Sequence, residues 1–212
     1  MDSNSFSSAS SAEIAFLKPS NASCASAISF SAHKFHGPVG IGALWLAPGI
    51  SLQPLFFGGQ QQLESRPGTE PVALIVGMAE AFRLAVEEMN PSIETTQRLR
   101  NGLETGLTER YPELVIQGRD RPRLPGTSCI SFPGTDRQSM LIALDMEGIA
   151  CSSGSACSSG SSPPSHVLTA MSRPEDEIKS ALRFGVSKFS TESEIMSSIE
   201  SISNIYIRLR RI

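Results

Sequence analysis

Residues 31–37, SAHKFHG, gather an amine, two imidazoles and a hydroxyl in a stretch with almost no bulk. Lys34 follows Ser31, Ala32 and His33, and two of the chain's three histidines lie here. Ser31 and His33 are compact donors suited to a phosphate, and the small neighbours let a planar group approach the backbone. A lysine in such a pocket can lose its charge by desolvation and attack an aldehyde as a free amine. A surface lysine on a strand-to-loop turn is the plainer alternative.

Cys157 lies in SSGSACSSG. A cysteine that fills a core has Val, Leu or Ile around it, whereas this one has serine and glycine. An exposed thiol on a flexible tether can travel to a substrate and away again. A plain linker with an incidental cysteine fits the same composition. Cys24, Cys129 and Cys151 have strand-like contexts and read as core or near-core. Arg183 falls inside the apolar run ALRFGVS. A guanidinium inside an apolar strand needs an anion, either a buried carboxylate of the chain or a substrate carboxylate gripped by both arms. SRPGTE is a tight turn with Thr69 beside glycine, by itself a weak phosphate-loop signal.

These groups need elements to hold them. AISFSAHK alternates as a short strand ending at the His33–Lys34 pair, and GIGALWLAP reads as a second, buried strand closed by Pro48 and Gly49. FFGGQQQLESRPGTEP is a loop. Ile75, Met78, Phe82, Ala85 and Met89 recur on one helical face, with Pro71 suited to its first turn. The character changes at Asn90–Pro91. Beyond it the pattern predicts a charged amphipathic helix over 94–110, then strands at LVIQG and SCISF. A helix carrying Met140, Leu141 and Leu144 follows a Thr135–Gln138 capping box. IAC reads as another strand, CSSGSACSSGSSPP as a loop, SHVLTAM as a short helix and ALRFGVS as a strand. Thr191 and Glu194 cap a last helix with Ile195, Ile199, Ile202 and Leu209 on one face. Alternation of helices and strands from residue 94 onward defines an α/β or α+β domain. Residues 1–25 are rich in Ser and Ala and carry no assignable element.

A chain of 212 residues with 40% hydrophobic and 18% charged residues can bury a real core. Its formal charge of -3 gives no reason to expect nucleic acid or an anionic membrane as partner. No apolar run approaches the roughly 20 residues of a membrane helix, and the start lacks the basic and apolar blocks of a secretory signal. Four cysteines without zinc-site spacing point to no metal site and to a reducing, cytoplasmic setting.

Four separated stretches carry a resemblance: SFSAHKFHGPVGIGALWL, SRPGTEP ahead of a long helix, SSGSACSSGSSPPSHVLTAM and ALRFGVSKFSTESEI. In this order they resemble the pyridoxal-phosphate-dependent cysteine desulfurases of the class V aminotransferase family. The likeness is to the class with a long cysteine loop that serves iron–sulfur cluster assembly. It implies the fold-type-I α/β architecture, with residues 1–93 a remnant of the large cofactor domain. Residues 94–212 would be the small C-terminal domain carrying the cysteine loop. It implies pyridoxal 5'-phosphate as cofactor, joined to Lys34, with its phosphate bound by Ser31 and His33. Thr69 would reach the phosphate of the neighbouring subunit's cofactor in a homodimer. L-cysteine would be the substrate, its carboxylate on Arg183 and its sulfur passing to Cys157 as a persulfide with release of L-alanine. A sulfur acceptor or iron–sulfur scaffold protein would be the next partner.

The chain departs from that pattern at Pro67, where the family has the serine of an SGT turn. Upstream the family supplies an aspartate to the pyridinium nitrogen and a histidine stacked on the ring. Here the only aspartate ahead of Lys34 is Asp2, and no histidine precedes His33. The expectation is a C-terminal half whose activity alone is negligible. A catalytically inactive fragment and a selenocysteine lyase-like enzyme are the alternatives.

Overall fold

The structure, a computed structural model, describes residues 25–153 and 164–210. Cys24, Cys157 and the rest of the 154–163 segment lie outside the described residues, as does everything ahead of residue 25. The chain forms two compact units, Met1–Glu87 and Glu88–Ile212.

In the first unit β1 (Ala27–Ser31) pairs antiparallel with β2 (Gly42–Leu46), Ser29 opposite Leu44. The strand ends at Ser31, short of the His33–Lys34 pair that the alternation reaches, because Ala32–Phe35 folds into a 3-10 turn. Ala32 is fully buried, its N–H donates to the Ile41 carbonyl at 3.0 Å, and its own carbonyl accepts from Gly37 N–H at 2.9 Å. The first bond continues the pairing with the β2 side by one position, and the second closes the turn. Helix α1 (Val72–Glu87) turns Ile75, Met78, Phe82 and Ala85 to its more covered side. Phe82 meets Phe30 and Phe35 with ring centroids 6.1 and 5.9 Å apart. Pro71 stands just ahead of the helix, where its carbonyl takes the Ile75 N–H. Met89, expected on this face, instead begins the next helix.

β2 is not the buried strand its composition suggests: Leu44 is half exposed. Among the described residues one helix backs these two strands, and it covers one face. Between β2 and α1, Gln62, Leu63 and Glu64 all take left-handed backbone, with φ of 51°, 53° and 64°. A side chain there costs roughly 1–2 kcal/mol, which asparagine offsets in part by local hydrogen bonding. Leu63 is 95% exposed, so its leucine side chain repays nothing by burial. Leu63→Asn is therefore expected to stabilise the protein by about 0.5–1 kcal/mol, read as a higher midpoint of urea unfolding. A lower midpoint would show that the turn gains from leucine.

The second unit is a three-stranded antiparallel sheet in the order β3 (Val115–Ile116), β4 (Thr127–Ser131) and β5 (Ala181–Gly185). Helices α2 (Met89–Arg110), α3 (Arg137–Met146) and α6 (Glu192–Arg210) cover one face. Leu103 and Leu107, Met140 and Leu144, and Ile199 and Ile202 meet Ile130, Leu182 and Phe184 there in one core. Helices α4 (His166–Ala170) and α5 (Glu175–Lys179) hold a smaller cluster on the other face, Leu168, Ile178 and Ala181 against Cys129.

Several boundaries differ from the sequence reading for local reasons. Helix α2 begins at Met89 and runs through Pro91, which sits in the first turn where its missing N–H is not needed. The N-cap of α3 is Asp136, whose carboxylate accepts from Ser139 N–H at 2.8 Å; Thr135 Oγ1 donates instead to the Phe132 carbonyl. IAC makes no strand; a single bridge follows it, from Ser152 to Arg183. Helix α5, not anticipated, starts after Pro174 with Glu175, Asp176 and Glu177 in its first turn, an arrangement that suits the helix dipole. The capping box of α6 forms as read. Thr191 N–H donates to Glu194 Oε2 at 2.7 Å, and Glu194 N–H donates to Thr191 Oγ1 at 3.2 Å.

Candidate functional site

The turn after β1 brings three of the sequence-derived residues together. Ser31 ends the strand, and His33 and Lys34 lie on the 3-10 turn. Residues three apart eclipse in such a turn. Ala32 and Phe35 therefore share its covered side, Ala32 in the core and Phe35 in the aromatic cluster, while His33 and Lys34 are exposed. The turn closes through His36 in left-handed backbone, φ 65°, and Gly37. A Cβ on Gly37 would come within 3.0 Å of Ala32 Cβ and 3.2 Å of Ala81 Cβ, so only glycine lets the turn seat against α1. The amine is thus carried on an anchored piece of backbone. No carboxylate of the described residues pairs with Lys34, whereas Lys179 and Lys188 are held by Glu175 and Glu88. An unpaired amine, a hydroxyl and an imidazole on one anchored turn suit an aldehyde and a phosphate, and so fit pyridoxal phosphate. Thr69 belongs to the same unit and is exposed in the turn ahead of α1.

Arg183 lies in the second unit, on β5, and its surroundings differ from the sequence reading. Leu182 and Phe184 point into the core, so alternation puts Arg183 on the opposite face, exposed. Burial therefore does not force it to find an anion. Its Nη2 donates to Ser152 Oγ at 3.5 Å, and no carboxylate of the described residues forms an ion pair with it. The guanidinium lines a cleft of about 450 Å³ with Gln117, Arg121, Cys129, His166 and Leu168. Arg183 is opposite Cys129, Gln117 N–H donates to the Cys129 carbonyl at 2.8 Å, and Ser152 bridges Arg183. Gln117, Cys129, Arg183 and Ser152 thus form one row across the sheet, and directly opposite residues share a face.

Gln117 was not visible as a site residue in the sequence. Its Nε2 donates to Ser131 Oγ at 2.9 Å and to Glu177 Oε2 at 2.7 Å, which fixes which end of the amide is the donor. Its Oε1 is buried and, among the described residues, has no partner. Cys129, read as near-core, is half-buried at this cleft; burial pushes its thiol up and the Arg183 charge offsets part of that. Burial, with the Asp145 charge, pushes the Cys151 thiol up to about 11. Neither is an activated nucleophile. Cys157 lies outside the described residues. No helix among the described residues is long and apolar enough to cross a membrane.

A three-stranded sheet with helices on both faces in one unit, and a lysine presented from an anchored turn in the other, are each consistent with the fold-type-I α/β class. The chain matches the aminotransferase class-V family over residues 18–197, and it belongs to that family. It is 41% identical over 183 residues to a cysteine desulfurase of Sinorhizobium fredii (strain NBRC 101917 / NGR234), covering 86% of this chain and 47% of that protein. Among solved structures it is similar to the NifS-like protein from Rickettsia africae ESF-5. That likeness has a TM-score of 0.77 and 34% identity, over 86% of this chain and 48% of the other. It is also similar to SspA, solved in complex with cysteine, with a TM-score of 0.52 and 30% identity over 78% of this chain and 45% of that one. The chain spans about half the length of the curated relatives it matches.

Proposed function

We propose that this chain supplies the lysine-bearing turn and the small domain of a pyridoxal-phosphate-dependent cysteine desulfurase. The observation that carries the reading is the anchored turn, which presents Lys34 without a carboxylate partner beside Ser31 and His33. It is supported by 41% identity to a protein named cysteine desulfurase. Lys34 joins the cofactor, and Ser31 and His33 hold its phosphate. Thr69 reaches the phosphate of the neighbouring subunit's cofactor in a homodimer. Arg183 holds the carboxylate of L-cysteine, which its exposure and its lack of a carboxylate partner leave it free to do. When bound, the cofactor's ring serves as the electron sink for bond cleavage at the amino acid. Lys34 takes and returns a proton as a base. Cys157 accepts the sulfur as a persulfide, L-alanine is released, and a cytoplasmic acceptor or iron–sulfur scaffold takes the sulfur on.

Cys157 is the residue that separates this reading from other chemistry on the same fold. In an enzyme that carries this chain together with the upstream half of the fold, Cys157→Ser should still show the absorbance changes of cofactor meeting cysteine. Sulfide release should fall by two orders of magnitude or more, roughly the scale set by loss of a nucleophile. Cys129→Ser and Cys151→Ser should keep most activity, since both thiols are held protonated by burial. Full activity in Cys157→Ser would remove it from the reaction.

A further inference from the structure

β3 is the outer strand of its sheet, and among the described residues nothing pairs with its other side. Val115 is opposite Ser131 and Ile116 opposite Ile130, and Gln117 N–H donates to the Cys129 carbonyl. Bonded and non-bonded pairs alternate along an antiparallel ladder. Gln117–Cys129 and Val115–Ser131 are therefore the bonded pairs, and the N–H and C=O of Ile116 face away from β4. Ile116 as a whole is 7% exposed, its side chain in the core, but no described strand takes its backbone groups at this edge, the feature that folded proteins ordinarily cover or blunt because it templates strand addition.

Beside this edge runs an open groove of about 760 Å³, with Ile116 and Gly118 on its wall and Arg119, Asp120, Arg121 and Arg173 around it. With Glu177, which holds Arg173, the groove has three guanidiniums to two carboxylates. Arg173 is already shared with Glu177 at 2.6 Å, but Arg119 and Arg121 are exposed and form no ion pair with the described residues. A groove that offers one unpaired backbone donor and acceptor, flanked by unneutralised cations, favours an extended chain with carboxylates on it.

We propose that the β3 edge is a docking site for an extended acidic segment of a partner protein. The segment would add to the sheet through reciprocal hydrogen bonds with the Ile116 backbone and set carboxylates against Arg119 and Arg121. The proposal needs neither the cofactor nor cysteine, so it stands or falls separately from the desulfurase reading.

The probe is a blocked, fluorescein-labelled peptide of alternating glutamate and valine, titrated by anisotropy into the full 212-residue protein. The expected result is saturable binding that weakens with salt, together with slower hydrogen exchange at the Ile116 amide. Arg119→Ala with Arg121→Ala, at exposed positions that leave the fold intact, should weaken binding roughly tenfold, the scale of two rim charge contacts. A peptide with alternate amides N-methylated has the same charge but cannot pair with an edge, and should not bind detectably. Equal binding of the N-methylated peptide overturns the proposal. Equal binding of a lysine–valine peptide or of an oligonucleotide of matching charge also overturns it, as does unchanged exchange at Ile116.

Discussion

Glu104→Ala is expected to cost the second unit about 2–3 kcal/mol, because it leaves the partly buried Arg123 guanidinium and Ser128 without their carboxylate. The Glu104 side chain is 5% exposed and that of Arg123 17%. Arg123 donates to both carboxylate oxygens, at 2.7 and 3.0 Å, and Ser128 Oγ donates to Oε1 at 2.6 Å. Arg100, on the same helix, donates to the Leu124 carbonyl at 2.9 Å, so the network ties α2 to the loop that precedes β4. Burial pushes the Glu104 carboxyl up. The hydrogen bonds from Arg123 and Ser128, with the charges of Arg123 and Arg100, outweigh it and hold the group below its ordinary value of 4.5. A carboxyl with a depressed folded pKa stabilises fully above its unfolded pKa and loses that contribution as pH falls through the folded one. The variant should therefore unfold at much lower urea than the parent at neutral pH, and the gap should narrow below about pH 4.5. A small gap, or one that is the same in acid, would mean that the pair adds little to the fold.

The second large effect concerns Arg183. In an enzyme that carries this chain together with the upstream half of the fold, Arg183→Ala should raise KM for L-cysteine roughly thirty- to several-hundredfold. That is the loss of a charge-assisted bidentate contact worth about 2–4 kcal/mol. Arg183→Lys should recover only part of it, because an ammonium cannot match the fork. The side chain is exposed at the cleft, so the fold should tolerate either change and kcat should fall less than KM rises. An unchanged KM with a lowered unfolding midpoint would make Arg183 a structural residue.

What could be read ahead of the structure was what short-range chemistry decides. The capping box at Thr191–Glu194 needs only four consecutive residues, and it formed as read. The β5 strand and the apolar face of α6 also follow from local periodicity. The Lys34 turn was legible as chemistry but not as backbone. Its 3-10 form depends on Gly37 bonding to Ala32 and seating on Ala81, contacts that alternation does not encode. Arg183 was placed on the right strand with the wrong surroundings, because an apolar run does not say that only the face of Leu182 and Phe184 meets the core, which leaves Arg183 exposed on the other. Gln117 was out of reach, since its partner Glu177 is sixty residues away. The start of α2 was misplaced because a proline reads as a stop until the first turn of a helix is known to contain it.

Borohydride reduction of the 212-residue protein mixed with pyridoxal phosphate, followed by peptide mapping, tests the central assignment most directly. Lys18, Lys179 and Lys188, the chain's other lysines, are internal controls. Lys179 and Lys188 are held by carboxylates, whereas Lys34 has none among the described residues. The expected result is a reduced cofactor adduct on Lys34, lost in Lys34→Ala and diminished by competing inorganic phosphate. An adduct that maps to Lys179 or Lys188, or that persists undiminished in Lys34→Ala, would contradict the assignment of this turn as the cofactor site.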